Sequence, residues 1–156
     1  MTVPPFLTRV RSYELEALGH VNHAVYLNWF EQARYDALEA SGLSPVELLR
    51  REWGIHVVRI EVDYRAECRF GDEVEIRTGI DEVRNSSMTL KQSLLRRRGG
   101  RGGTSGREPT DLEIIAAADA RVVAVWIGPD RRPMRIPREI RQRFERWSAP
   151  GSPASP

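Results

Sequence analysis

Apolar positions along the chain follow two rhythms. Between Ala24 and Ser41 they recur at Tyr26, Phe30, Ala33, Ala37 and Ala40, joined by Leu27 and Leu38. This alternation of fours and threes predicts one amphipathic helix. Asn22 or His23 stands at its start, where an asparagine side chain accepts from an orphan backbone N–H, and Gly42 is placed to end it. Ser44-Pro45 predicts a short second helix that stops before Gly54. Beyond it the period drops to two. Val58, Ile60, Val62 and Tyr64 alternate with polar neighbours, as do Val74, Ile76, Thr78 and Ile80, then Met88, Leu90, Gln92 and Leu94. Each run predicts a half-buried strand, with turns at Phe70-Gly71-Asp72 and Asn85-Ser86. Leu112 to Ile127 is mostly apolar and is expected as a central strand. Phe6 to Glu14 alternates weakly and is expected as a first strand. Ile140, Phe144 and Trp147 share one side of a short helix from Pro137 to Trp147.

One long helix among about five strands gives an α+β domain, with a curved antiparallel sheet wrapped around the helix. The expected organisation is a single domain over residues 1–147. Residues 96–110, RRRGGRGGTSGREPT, lack an apolar anchor and are expected as a flexible Arg/Gly-rich hairpin loop. Residues 148–156 are expected as a disordered tail.

Composition narrows the function. The chain has 156 residues, enough for one core, and a formal net charge of +2. A balance so close to neutral argues against nucleic acid as a partner. Its cations are arginines apart from Lys91. One cysteine, Cys68, excludes an intrachain disulfide and a cysteine zinc site, and is expected as a small buried residue. No apolar run reaches the ~18–20 residues that span a bilayer, and the first residues do not resemble a signal peptide, so a cytoplasmic chain without a membrane partner is expected.

The chemistry-bearing residues concentrate in Tyr13 to Arg34, YELEALGHVNHAVYLNWFEQAR. Acids, histidines, an asparagine and a tyrosine meet the start of the long helix, where free N–H groups and the positive dipole end favour a developing oxyanion. A carboxylate there can activate water or attack a carbonyl, or serve simply as a dipole partner. Asn22 either caps the helix or bonds the carboxylate or water. Glu31 and Arg34 are spaced for a local ion pair. Arg96, Arg97 and Arg98 are either solvated or contact carrier phosphates. No metal-ligand spacing, P-loop, dinucleotide fingerprint or nucleophile elbow is present.

The stretch resembles the signature of the hotdog-fold thioesterases of the 4-hydroxybenzoyl-CoA thioesterase and YbgC-like family. The resemblance rests on Glu14, Glu16, Gly19, Val21, His23, Tyr26, Phe30, Glu31, Ala33 and Arg34, and on Tyr64-Arg65 followed by Gly71-Asp72. It implies hydrolysis of an acyl-CoA or acyl-carrier-protein thioester to a carboxylic acid and a thiol. It also implies a homodimer or homotetramer with the site at a subunit boundary, and no cofactor beyond the coenzyme A of the substrate. Glu16 falls at the catalytic carboxylate and His23 at a histidine whose N–H and ring face the thioester. Tyr26 matches a tyrosine that shapes the pocket, and His20, Asn22 and Ala24 are the other candidate substrate-binding positions, with His20 otherwise a structural hydrogen-bonder of the loop. The pattern carries Asp where this chain has Glu14 and Glu16, and that departure leaves as the alternative a catalytically weak or inactive protein that binds acyl groups or a protein partner.

Overall fold

The computed structural model describes residues 3–98, 113–145 and 147. Five strands form one antiparallel sheet: β1 (Phe6–Arg9), β2 (Gly54–Tyr64), β3 (Glu73–Val83), β4 (Ser87–Arg98) and β5 (Glu113–Ile127). Their spatial order is β1-β3-β4-β5-β2. Three helices accompany them: α1 (His23–Ala40), α2 (Pro45–Arg50) and α3 (Arg138–Glu145). β5, expected at the centre, lies between β4 and β2, so it is interior but the middle place belongs to β4. Register shifts at Val57/Arg59, Ile80/Glu82 and Leu94/Leu95 are bulges that bend the sheet around α1. This is the hotdog arrangement.

The period-two pattern decides which sheet face meets the helix. Val74, Ile76 and Ile80 on β3, Met88, Leu90 and Leu94 on β4, and Ala118, Ala120, Val122, Ala124 and Trp126 on β5 are all buried. Phe30, Ala33 and Ala37 of α1 join them in one core. Ser44 caps α2 by accepting from the Glu47 N–H, and Gly42 closes α1 at φ +80°. Ile140, Phe144 and Trp147 of the C-terminal segment are buried together, as their spacing requires.

A polar residue sits at the centre of this core. Gln92, 1% exposed, donates to the Phe30 carbonyl and to Thr78 Oγ1, both at 2.9 Å, and accepts from Arg34 at 2.9 Å. The amide therefore bolts β4 to α1 with its hydrogen bonds satisfied. Gln92→Ala leaves a cavity and strands the Arg34 and Thr78 groups. It is expected to cost about 3 kcal/mol in urea-unfolding measurements. Arg34 is thus drawn inward to Gln92, and the expected Glu31–Arg34 ion pair is not among the pairs of the described residues.

Three further expectations need correction. The first strand stops at Arg9, because the Val10 N–H turns to Asp72 and the Val10 carbonyl accepts from Gly71. A 3₁₀ turn then covers Ser12–Glu14, closed by the Glu14 carboxylate on the Arg11 N–H at 2.7 Å. Arg96, Arg97 and Arg98 do not begin a loop but extend β4, opposite Ile115, Ile114 and Glu113. Arg96 is buried, donating to the Glu67 carbonyl and to Glu113. Arg97 pairs with Glu75, and Arg98 grips both Asp72 oxygens at 2.8 and 2.7 Å. Their guanidinium groups neutralise acids of this chain rather than stand ready for a carrier phosphate. The remainder of the expected 96–110 loop, and the 148–156 tail, lie outside the described residues.

The third correction concerns β2, which is an edge strand and far more open than half-buried. Val58 falls at the bulge and leaves the alternation. Ile55, Val57, Ile60, Val62 and Tyr64 stand opposite the buried Trp126, Ala124, Val122, Ala120 and Ala118 and so point to the helix side. Val57, Ile60 and Tyr64 nevertheless remain 46%, 36% and 47% exposed.

Candidate active site

Glu16 and His20 face each other across a miniature hairpin. Leu15 and Val21 form an antiparallel bridge. Inside it, the Glu16 N–H donates to the His20 carbonyl at 2.9 Å, and the Gly19 N–H donates to the Glu16 carbonyl at 3.0 Å. The three-residue loop Ala17-Leu18-Gly19 closes with Gly19 at φ +84°, a conformation that selects glycine. Directly opposed residues of an antiparallel pair project side by side, so the two side chains meet. His20 Nε2 lies 2.8 Å from Glu16 Oε1, and both side chains are about one-third exposed at 31% and 28%.

The hairpin delivers the chain to the start of α1. Asn22 Oδ1 accepts from the Ala24 N–H at 2.9 Å, and the Asn22 carbonyl accepts from Val25. That leaves the His23 N–H without an acceptor among the described residues, at the positive end of an 18-residue helix. Glu14, the other motif acid, faces away from solvent. It is 7% exposed and accepts from Trp29 Nε1 at 3.1 Å as well as from Arg11.

Two tyrosines fasten the end of β2 to the helix. Tyr64 donates to the His23 carbonyl at 2.9 Å, and its ring packs edge-on against Tyr26 at 5.2 Å. The Tyr26 hydroxyl accepts from the Cys68 N–H at 3.1 Å. Burial, reinforced by the neighbouring Cys68, raises the Tyr26 phenol above its usual range. Tyr26 is held in place as a wall of the cleft by these contacts. Burial likewise pushes the Cys68 thiol up, which fits the small buried residue expected there.

These segments enclose a cleft of about 370 Å³ lined by Glu16, His20, His23, Tyr26, Tyr64 and Glu67, with Val21, Arg65 and Ala66 completing it. The fold thus brings Glu16, His20, His23 and Tyr26 together. Asn22 and Ala24 do not line the cleft, because each satisfies the other as the helix cap. Asn22→Ala is expected to cost about 1 kcal/mol of stability, read as a lowered Tm, while substrate KM stays unchanged. Sequence reasoning missed Tyr64 and Glu67 as cleft residues. They lie at and just beyond the end of β2, which the fold sets beside the start of α1. A second, more apolar space of about 480 Å³ lies between α1, α2 and the sheet, bordered by Leu38, Leu48, Trp53, Met88 and Leu90 and rimmed by residues 54–57 of β2. Among the described residues no group of three His, Cys, Asp or Glu could hold a metal ion, and no helix is long and apolar enough to cross a membrane.

Comparison with known proteins places this geometry. The chain is 26% identical over 140 residues to the acyl-CoA thioesterase YbgC of Haemophilus influenzae, covering 89% of this chain and 92% of that protein. It is 26% identical over 136 residues to the chloroplastic acyl-acyl carrier protein thioesterase ATL3 of Arabidopsis thaliana. That match covers 87% of this chain but 64% of the plant protein, so the chain spans less than two thirds of that relative's length. The solved structure of a predicted thioesterase from Bacillus stearothermophilus superposes with a TM-score of 0.74 at 27% identity, covering 95% of this chain and 98% of the other. The thioesterase-like superfamily matches residues 10–144. That span holds the hairpin, the helix start and both tyrosine ties, and the chain belongs to the thioesterase-like superfamily.

Proposed function

We propose that the protein hydrolyses an acyl thioester of coenzyme A or of an acyl carrier protein, using Glu16 as the reacting carboxylate. The observation that carries this reading is the placing of Glu16 in one cleft with His23, the first residue of α1, whose N–H has no acceptor among the described residues. A thioester lying there presents its carbonyl oxygen to the His23 N–H and its carbonyl carbon to Glu16. Glu16 takes a proton from water as the water oxygen adds to the carbon, or attacks the carbon directly. The oxyanion is stabilised by the helix end, the C–S bond breaks, and the thiolate takes up a proton relayed from solvent by the exposed His23 imidazole; on the direct route water then cleaves the acyl–Glu16 anhydride, releasing the carboxylic acid and restoring the carboxylate. The chemistry needs no cofactor beyond the carrier thiol of the substrate.

The functional unit is a dimer, with the site completed at its boundary. The 11-residue edge β2 has an unpaired outer side among the described strands and carries exposed apolar side chains on its inner face. Both features favour antiparallel pairing with a second copy. Such pairing sets the 54–57 end of one strand beside the 61–64 end of the other. The apolar space of one subunit then adjoins the Glu16 cleft of its partner, and supplies room for the acyl group.

The test is turnover of a panel of acyl-CoAs by the purified chain, followed by free-thiol release. Hydrolysis of at least one member supports the reading. Saturable binding without thiol release across the panel, and across the same acyl groups on carrier protein, replaces it with the acyl-binding alternative.

A further inference from the structure

We propose that His20 is the positioning residue of Glu16, fixing one carboxylate oxygen while the other is left for the thioester. This rests on the role given to Glu16 above. The ring stands between two acids: Nε2 lies 2.8 Å from Glu16 Oε1 and Nδ1 lies 3.7 Å from Glu67 Oε2. The 2.8 Å contact holds the ring against Oε1, while Oε2 has no hydrogen-bond partner among the described residues. The contact to Glu67 is the longer and weaker of the two.

Glu67 is itself held in place. Its carboxylate accepts from Arg69 Nε at 2.7 Å, and its carbonyl accepts from the buried Arg96 at 2.6 Å. A line of contacts therefore runs from a buried arginine on β4, through Glu67 and His20, to the reacting carboxylate. The hairpin contributes the other constraint, because residues 16 and 20 are opposed by the backbone itself.

The length of the side chain at position 16 gives this arrangement its purpose. Glutamate has one more rotatable bond than the aspartate of the family pattern, and so has more freedom to lose on reaching a productive geometry. A partner 2.8 Å away removes that freedom before substrate arrives. Misplacing a reacting group by about 1 Å can cost ~10²-fold in rate.

The experiment is steady-state hydrolysis of the acyl-CoA turned over fastest by the native chain. The variants are His20→Ala, His20→Gln and Glu16→Gln. His20→Ala is expected to lower kcat about 10²-fold with KM within about twofold. Added imidazole should restore kcat saturably, since the emptied place opens on the cleft. His20→Gln, whose amide reaches towards the same oxygen, should lose less than about tenfold. Unchanged kcat in His20→Ala beside an inactive Glu16→Gln overturns the positioning role and leaves the hydrolytic reading standing. A loss in His20→Ala that imidazole does not restore, together with a lowered Tm, also overturns it, since His20 would then merely support the hairpin. Full activity in Glu16→Gln overturns both.

Discussion

Glu16→Gln is expected to lower kcat for thioester hydrolysis by about 10³-fold, with KM nearly unchanged. The substitution keeps the length and shape of the side chain, so the cleft survives and the amide still meets His20 at the 2.8 Å position. What disappears is the negative oxygen that either attacks the carbonyl carbon or takes the proton of water. Binding of the carrier and acyl portions uses other surfaces, which is why the loss should fall on kcat. Glu16→Asp separates charge from reach. It keeps the carboxylate but draws it back by one methylene, beyond contact with His20, and a loss of about 10²-fold is expected. Circular dichroism of both variants should match the native chain. Native rates in Glu16→Gln would remove the carboxylate from the chemistry.

Ile60→Lys should convert a dimer into a monomer and lower kcat/KM by at least about 10²-fold without unfolding the chain. Ile60 is 36% exposed on the open edge of β2, so a lysine there reaches solvent in an isolated subunit and costs the fold little. In a self-paired edge it buries a charge near its symmetry mate, which is how natural edges resist pairing. Activity falls because the acyl space and the reacting carboxylate would belong to different subunits. Light scattering after gel filtration reads the mass, and far-UV circular dichroism reads the fold. A native chain that is monomeric and fully active would refute the shared site. Lysine at position 60 in an active dimer would place the boundary elsewhere.

Much of this molecule is written in short-range pattern. The spacing of Tyr26, Phe30, Ala33 and Ala37 gives α1, and Asn22 and Gly42 mark its ends to within one residue. The alternation in β3 and β4 and the apolar run of β5 give the sheet. The motif around Glu16 and His23 locates the cleft. The failures arise where distant residues overrule local signals. Weak alternation from Phe6 to Glu14 loses to the pull of Trp29 and Arg11 on the Glu14 carboxylate, which folds the segment into a turn. Arg96 to Arg98 look solvated because their acidic partners, Asp72, Glu75 and Glu113, lie far away in sequence. Glu67 and Tyr64 reach the cleft only because β2 ends beside the start of α1.

The two tyrosine ties have a consequence for how such a cleft diverges. Tyr64 holds the His23 carbonyl, and Tyr26 holds the Cys68 N–H, so the opening between helix and strand is pinned at both sides. Single changes at either position free one margin while the other still sets the aperture. New acyl specificities should therefore accumulate first around Leu38, Leu48 and Trp53, where walls can recede one side chain at a time, and the width of the mouth should change only in paired steps.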